Sequence, residues 1–268
     1  MNIAAIQTFL AVIRTGNLNR AAEALHITQS AVTARLDALE AALGTQLLIR
    51  SRRGSELTKA GFAFLEKAEL IAQTWETARS QTSLPQGVTG LFSLACDPAL
   101  WSGFGRGWVA GLRARQPDIA IEIWAGLAGD ARRWLQSGLC DAALLGAPLG
   151  GADLDNRPAG LMTVAQFATR PRAAMRWDPD YVMVDYGPAF RNWHRATWPE
   201  DNTAALSFSA PDWALDHLLA AGGSAYLPTA LAEDRPELFR VSGAPERALP
   251  VSLSWRRPSV QAFDFLQV

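Results

Sequence analysis

The strongest constraint on this chain is the punctuation of its first 58 residues. Ile6, Phe9, Leu10 and Ile13 recur at three- and four-residue steps, which predicts an amphipathic helix that Gly16 ends. Asn17 can cap a second, short helix over 18–25, whose Ala21-Ala22 pair allows close packing. After His26-Ile27, Thr28 caps a third helix running through Glu40 to Leu43, and Gly44 supplies the left-handed stop. Two helices joined by so short a turn form a helix-turn-helix, whose second helix enters the DNA major groove. With Val32, Leu36 and Leu39 facing the core, Gln29, Ser30, Thr33 and Arg35 are left on the outer surface. Gln reads adenine bidentately, Ser and Thr are versatile hydrogen-bonding groups, and a helix N-terminus favours phosphate. Residues 47–57 then read as two short strands turning at Gly54. Arg50, Arg52 and Arg53 sit on or beside that turn, where phosphate or minor-groove contact is natural.

Composition removes several other classes. The 268 residues suggest about two domains at ~150 residues each, and 49% hydrophobic with 19% charged residues describes a globular chain. No apolar run approaches the ~20 residues that cross a bilayer, and the N-terminus lacks a signal-peptide pattern, so a cytoplasmic protein is expected. Cys96 and Cys140 are too few for a disulfide framework or a zinc cluster, and no metal or cofactor is expected. His26, His194 and His217 are far apart, and no nucleophile elbow, phosphate-binding glycine loop or metal-ligand spacing appears. An enzyme is therefore not expected. The formal charge of −1 conceals an asymmetry: residues 1–81 carry nine basic against seven acidic side chains, the remainder 16 against 19. The polar stretch 80–87, with Pro85 and Gly87, reads as a linker between a mildly basic part and an acidic one.

The run Phe9, Gly16, Arg20-Ala-Ala, Leu25, Gln29-Ser-Ala-Val-Thr33, Leu39-Glu, Leu43-Gly, Leu47, Arg50 and Leu57-Thr-Lys-Ala-Gly61 resembles the winged helix-turn-helix of the LysR-type transcriptional regulators. Thr33 stands where the family usually has Ser, and Leu48 where Phe is common; the first keeps a hydroxyl and the second repacks the wing. Carried over position by position, the resemblance implies that Gln29, Ser30, Thr33 and the wing arginines meet DNA. Thr58 can cap a long helix over 59–81 with apolar positions Phe62, Leu65, Ile71 and Trp75, spanning roughly 35 Å. Such a stripe could pack on its own domain; the resemblance implies instead that it pairs with its twin to make a homodimer, or part of a homotetramer, on a roughly palindromic operator.

Beyond the linker, strands are expected at 91–96, 119–124 and 141–145, with a helix over 101–116 and another segment, 126–138, turning and then helical. That alternation argues for a parallel sheet. Further strands are expected at 161–168, 181–185, 204–209 and 224–227, a helix at 212–221, a returning strand at 251–255, and a final helix in the C-terminal tail. This succession is similar to the LysR effector domain: two α/β lobes resembling periplasmic binding proteins, with lobe one about 88–160 plus 251–268 and lobe two about 161–250. Pro98-Ala-Leu-Trp101 and the segment from Asp185 to Phe190 resemble a subgroup that includes the repressor of the flagellar master operon. The expected division is a reader at 1–58, a dimerisation helix and hinge at 59–87, and an effector domain at 88–268.

Ligands of open α/β sheets bind beyond the carboxyl ends of the strands. That rule selects Asp97, Leu100, Trp101, Gly126, Leu127, Gly146 and Ala147 from the first lobe, and Ser207, Phe208, Ser209, Asp185 and Tyr186 from the second. Many relatives carry Ser or Thr after the first strand. Asp97 would repel a carboxylate and, near Trp101 and Trp124, could favour an amine-bearing effector; otherwise it caps a helix and the tryptophans fill core. The reading is a DNA-binding regulator controlled by a small molecule. Two alternatives stand beside it: thiol sensing at Cys96, and a ligand-binding protein with no DNA role.

Overall fold

The computed structural model describes residues 2–51, 54–82, 84, 87–175, 178–199, 204–261 and 263–266. Its contacts divide the chain into two units, Met1–Leu84 and Pro85–Val268.

In the first unit, α1 (Ile3–Thr15) ends where Gly16 turns left-handed at φ 68°. The Asn17 side chain accepts from the Asn19 amide to start α2 (Leu18–Ala24), and Thr28 accepts from the Ala31 amide to start α3 (Gln29–Leu43). Gly44 closes α3 at φ 67°. Each end follows the chemistry of its residue: the cap oxygen satisfies an orphan amide, and glycine enters the left-handed region without a Cβ clash. Ile6, Phe9, Val12, Val32, Leu36 and Leu39 close over one another in a buried core. Burial of each such side chain contributes roughly 1.5–3 kcal/mol. The hairpin of β1 (Leu48–Ser51) and β2 (Gly54–Leu57) is antiparallel, with Arg50 opposite Ser55.

Thr58 accepts from the Gly61 amide at 3.0 Å and opens α4 (Lys59–Thr82). The apolar stripe of this helix divides. Phe64, Leu65, Ala68, Ile71 and Ala72 pack on the core of the unit, whereas Phe62 and Trp75 remain 66% and 46% exposed.

In the second unit, β3 (Gly90–Cys96) lies between β4 (Ile119–Ala125) and β5 (Ala142–Leu145), parallel to both. The sheet continues through antiparallel strands, so the expected parallel arrangement covers only these three. β11 (Arg247–Arg256) pairs with β5 and with β6 (Leu154–Ala168), which in turn pairs with β9 (Ser224–Pro228) and β10 (Phe239–Arg240). A separate two-stranded parallel sheet joins β7 (Val182–Val184) to β8 (Leu206–Phe208). β6 begins seven residues before the expected 161 because the stretch from Leu154 to Val164 pairs along the full length of β11. Two long strands thus run through both halves of the unit, and no alternation in their own sequence marks where one half ends.

The helix expected over 101–116 is interrupted. It consists of α5 (Pro98–Leu100), a π turn at Trp101–Gly105, and α6 (Arg106–Arg115). A Cβ on Gly103 would lie 2.5 Å from Met162 Sδ and from Pro228 Cβ, so the turn sits directly on the crossing strands. α7 (Ala128–Ser137) and α9 (Pro211–Ala221) match expectation; α8 (Pro188–Thr197) and the short α10 (Thr229–Ala232) do not appear in the sequence reading. The C-terminal tail forms two 3₁₀ turns, Arg257–Gln261 and Asp264–Leu266, in place of the expected helix.

Candidate DNA-reading surface and effector crevice

α3 carries the residues expected to read DNA. Gln29 and Ser30 are exposed and Thr33 is half-buried, all within an arc of about 100° at the N-terminal end of the helix. The same end is held open by its cap: the Thr28 hydroxyl is bonded to the Ala31 amide and lies 2.9 Å from the Ser30 hydroxyl. Arg35 stands apart from this trio. It is half-buried, and its guanidinium donates to the hydroxyl of Thr8 on α1 at 3.5 Å. His26 occupies the turn before α3 at φ 53°, a left-handed position rare for a side-chain-bearing residue, so its backbone shapes the turn.

The wing is braced against the reader by groups that pattern alone does not reveal. Glu40, one turn before the end of α3, accepts from the amides of Leu47 and Leu48 at 2.7 and 3.1 Å. Gly54 meets the α1–α2 corner, where the Ser55 amide donates to the Gly16 carbonyl and a Cβ on Gly54 would stand 2.7 Å from that oxygen. Gly61 allows α4 to pass the wing, since a Cβ there would fall 2.1 Å from the Leu47 carbonyl. The only hint in the sequence is that glycine stands inside a helical pattern, where it is otherwise costly. Arg50 lies on β1; Arg52 and Arg53 fall outside the described residues.

In the second unit, Asp97 follows β3 and accepts from the Ala99 amide at 2.9 Å, capping α5. Burial above all, and then the charge of Asp185, raises its carboxyl above the ordinary range. Asp185, at the end of β7, accepts from the Gly187 amide and pairs with Arg191. The acids that follow β3 and β7 are thus near enough for the charge of Asp185 to act on Asp97, although Asp185 is itself paired with Arg191. Tyr186 beside them donates its hydroxyl to the Tyr226 carbonyl at 3.0 Å.

The other expected crevice residues serve more varied roles. Leu100 is 3% exposed and belongs to the core. Trp101 packs on the same core, close to Gly105 and Cys96. Gly126 is covered by the Trp134 ring, which also tilts against Trp124 at 5.6 Å. Trp101 and Trp124 thus belong to different clusters, and they form no common aromatic cage over Asp97. Leu127, Gly146, Ala147, Ser207 and Ser209 are exposed; Phe208 is half-buried with its ring 5.9 Å from His217. Cys96 is buried, and desolvation with the adjacent Asp97 pushes its thiol up to about 12. Among the described residues there is no cluster of three metal-ligating side chains, and no helix is long and apolar enough to cross a membrane.

A capped helix-turn-helix with a braced wing, followed by a long helix and a mixed α/β unit with acids at its strand ends, defines the architecture of a ligand-controlled nucleic-acid-binding protein. Residues 3–62 match the family model described as "Bacterial regulatory helix-turn-helix protein, lysR family". Over 262 residues the chain is 28% identical to the HTH-type transcriptional regulator HdfR of Salmonella typhimurium, covering 97% of this chain and 94% of that one. The crystal structure of CbnR, a LysR family transcriptional regulator, superposes with a TM-score of 0.79 at 20% identity, covering 99% of this chain and 98% of CbnR. The structure of full-length CbnR complexed with its target DNA gives 0.75 over the same shares. Residues 3–62 thus carry the LysR-family helix-turn-helix, and over nearly its whole length the chain is similar to LysR-type transcriptional regulators.

Proposed function

We propose that residues 1–58 read duplex DNA, that 59–87 form the dimerisation helix and hinge, and that 88–268 bind a small effector, in a cytoplasmic regulator that is not an enzyme. The observation that carries this reading is the set of exposed Gln29 and Ser30 with half-buried Thr33 at the capped N-terminus of α3, with a wing tied to the same helix by Glu40. Gln29 offers a bidentate edge to adenine, and the hydroxyls take either bases or phosphates. Arg50, Arg52 and Arg53 supply phosphate or minor-groove contacts; Arg35, held toward Thr8, orients α3. Phe62 and Trp75, left exposed on α4, are the residues through which two copies pair and set the half-site spacing. A Gln29→Ala, Arg53→Ala variant loses specific operator retention in gel-shift titrations while keeping its fold by circular dichroism. Undiminished specific retention refutes the DNA reading and leaves a binding protein without a DNA role.

The effector enters the crevice between Asp97 and Asp185. Two nearby acids with Asp97 held partly out of water favour an effector bearing an amine, and the exposed Ser207 and Ser209 offer it hydrogen bonds. Occupancy changes how the two halves of the unit close and thereby the placement of the readers. It does so only to the extent that the effector binds the two states with different affinity. Tryptophan quenching against a panel of amines and carboxylates tests the class; binding by carboxylates alone ends the amine assignment. Thiol sensing at Cys96 is disfavoured, because a thiol raised to about 12 holds almost no thiolate near neutrality.

A further inference from the structure

A cavity of about 910 Å³ in the second unit does not lie at the strand ends that carry Asp97 and Asp185. Its floor is Tyr181, Val182 and Leu206, at the amino ends of β7 and β8, whereas Asp185 and Ser209 follow their carboxyl ends. Three residues of strand separate the two faces by roughly 10 Å. The cavity falls within the range of small-molecule sites, ~300–1,000 Å³.

Its walls carry charge of both signs. Arg170 and Arg172 come from the segment after β6, Asp180 precedes β7, and Glu237 precedes β10. The last turn of α9 contributes Leu218, Leu219 and Ala221, so unsatisfied helix carbonyls add negative potential on that side. Arg172 is held rigidly. Its two Nη atoms donate to Asp178 at 3.2 and 2.6 Å, and Asp178 also accepts from the buried Ser224 hydroxyl. Its Nε is buried without a hydrogen-bond partner among the described residues. Gly222 and Gly223, at φ 83° and 115°, complete the wall with bare backbone; a Cβ on Gly223 would stand 2.5 Å from the Asp180 carbonyl. Asp178 neutralises Arg172, leaving Arg170 against Asp180, Glu237 and the helix end. A ligand with one sign of charge would meet repulsion from one wall.

We propose that this cavity is a second ligand site, separate from the effector crevice, that takes a small zwitterion of the amino-acid type. Its carboxylate lies against Arg170 and the Arg172 edge, and its ammonium lies against Asp180, Glu237 and the C-terminus of α9. The site modulates the response set at the crevice and needs no contact with DNA.

Isothermal titration of the full-length protein with pooled free L-amino acids, cadaverine and glutarate tests this. At least one amino acid is expected to bind, with cadaverine and glutarate at least 10-fold weaker in the Asp97→Asn variant, where the crevice no longer contributes. Arg170→Ala and Glu237→Ala are each expected to weaken that amino acid at least 10-fold, while Asp97→Asn leaves it unchanged. Three results overturn the proposal: no heat from any amino acid at millimolar concentration, equal binding of cadaverine that persists in Asp97→Asn and is lost in Glu237→Ala, or loss of the amino acid with Asp97→Asn but not with Arg170→Ala. The crevice reading stands or falls separately, on whether Asp97→Asn abolishes the tryptophan quenching.

Discussion

The two units present their ligand-facing residues in opposite ways. The reader projects Gln29, Ser30 and Thr33 from one turn and a half of a single helix, and its core residues lie on another face of that helix. The crevice gathers residues from the ends of five strands, and several do structural work there: Asp97 caps, Leu100 is core, Trp101 packs beside Cys96, and Gly126 lies under Trp134. A surface borne by one helix can change its chemistry without moving its scaffold. A site assembled from strand ends cannot, because each residue is shared with packing. On the proposed site assignments, function in the first unit therefore separates from stability, whereas in the second the two are coupled.

Measurements can break that contrast. The largest effect belongs to the reader and is purely electrostatic: with ~6–10 phosphate contacts, operator affinity should fall ~10³–10⁵-fold between about 50 and 200 mM salt. A flat salt response removes the arginine contacts from the account.

Next is a stability effect confined to the second unit. His194 is buried against Tyr181, Phe190 and Tyr226, and burial lowers its imidazole from 6.5 to about 4. The folded state thus binds the proton less readily than the unfolded chain. Stability from this group is present above about 6.5 and is lost as pH falls toward about 4, to a total on the order of 3 kcal/mol. His194→Phe should flatten that limb of the second unit's unfolding profile and leave the first unit's profile unchanged. An unaltered slope assigns the acid lability to another group.

Gly103→Ala should cost the second unit ~1–3 kcal/mol through overpacking on Met162 and Pro228, read by urea denaturation, with operator affinity per folded molecule unchanged. Equal loss of operator affinity would show that the units are not independent in this respect. The smallest effect is Asn17→Ala, expected to cost the first unit ~1 kcal/mol through its lost α2 cap, with no change in base preference. A changed preference would mean that scaffold and recognition are not separable there.

Legibility from sequence differed between the units for the same reason. Gly16, Asn17, Thr28, Gly44 and Thr58 act on amides within three residues of themselves or on their own φ, so the reader's helices could be placed almost to the residue. The wing's braces escaped because Glu40 reaches the Leu47 and Leu48 amides from another element, and Gly61 matters only through the Leu47 carbonyl. In the second unit the strands at 91–96 and 119–124 showed as apolar runs, but β6 extends to Leu154 because β11, ninety residues onward, pairs with it. α8 has strongly amphipathic spacing in Phe190, Trp193, His194 and Thr197, yet it opens on Pro188 after Gly187, a pair that in the sequence reads only as part of a motif. The π turn is set by Met162 and Pro228, which no local pattern around Gly103 announces.

The sequence by itself determined the helix-turn-helix, its capped ends, the outward placement of Gln29, Ser30 and Thr33, and the succession of strands beyond residue 88. Those features depend on interactions within a turn or two of chain, and local order is written in local residues. The tertiary structure alone decided that the sheet is mixed, that Arg35 turns to Thr8, that the charge of Asp185 reaches Asp97 while the tryptophans part company, and that a cavity of about 910 Å³ opens at the other end of β7 and β8. Each of these pairs residues tens of positions apart, and only closure of the chain brings their charges and volumes within reach.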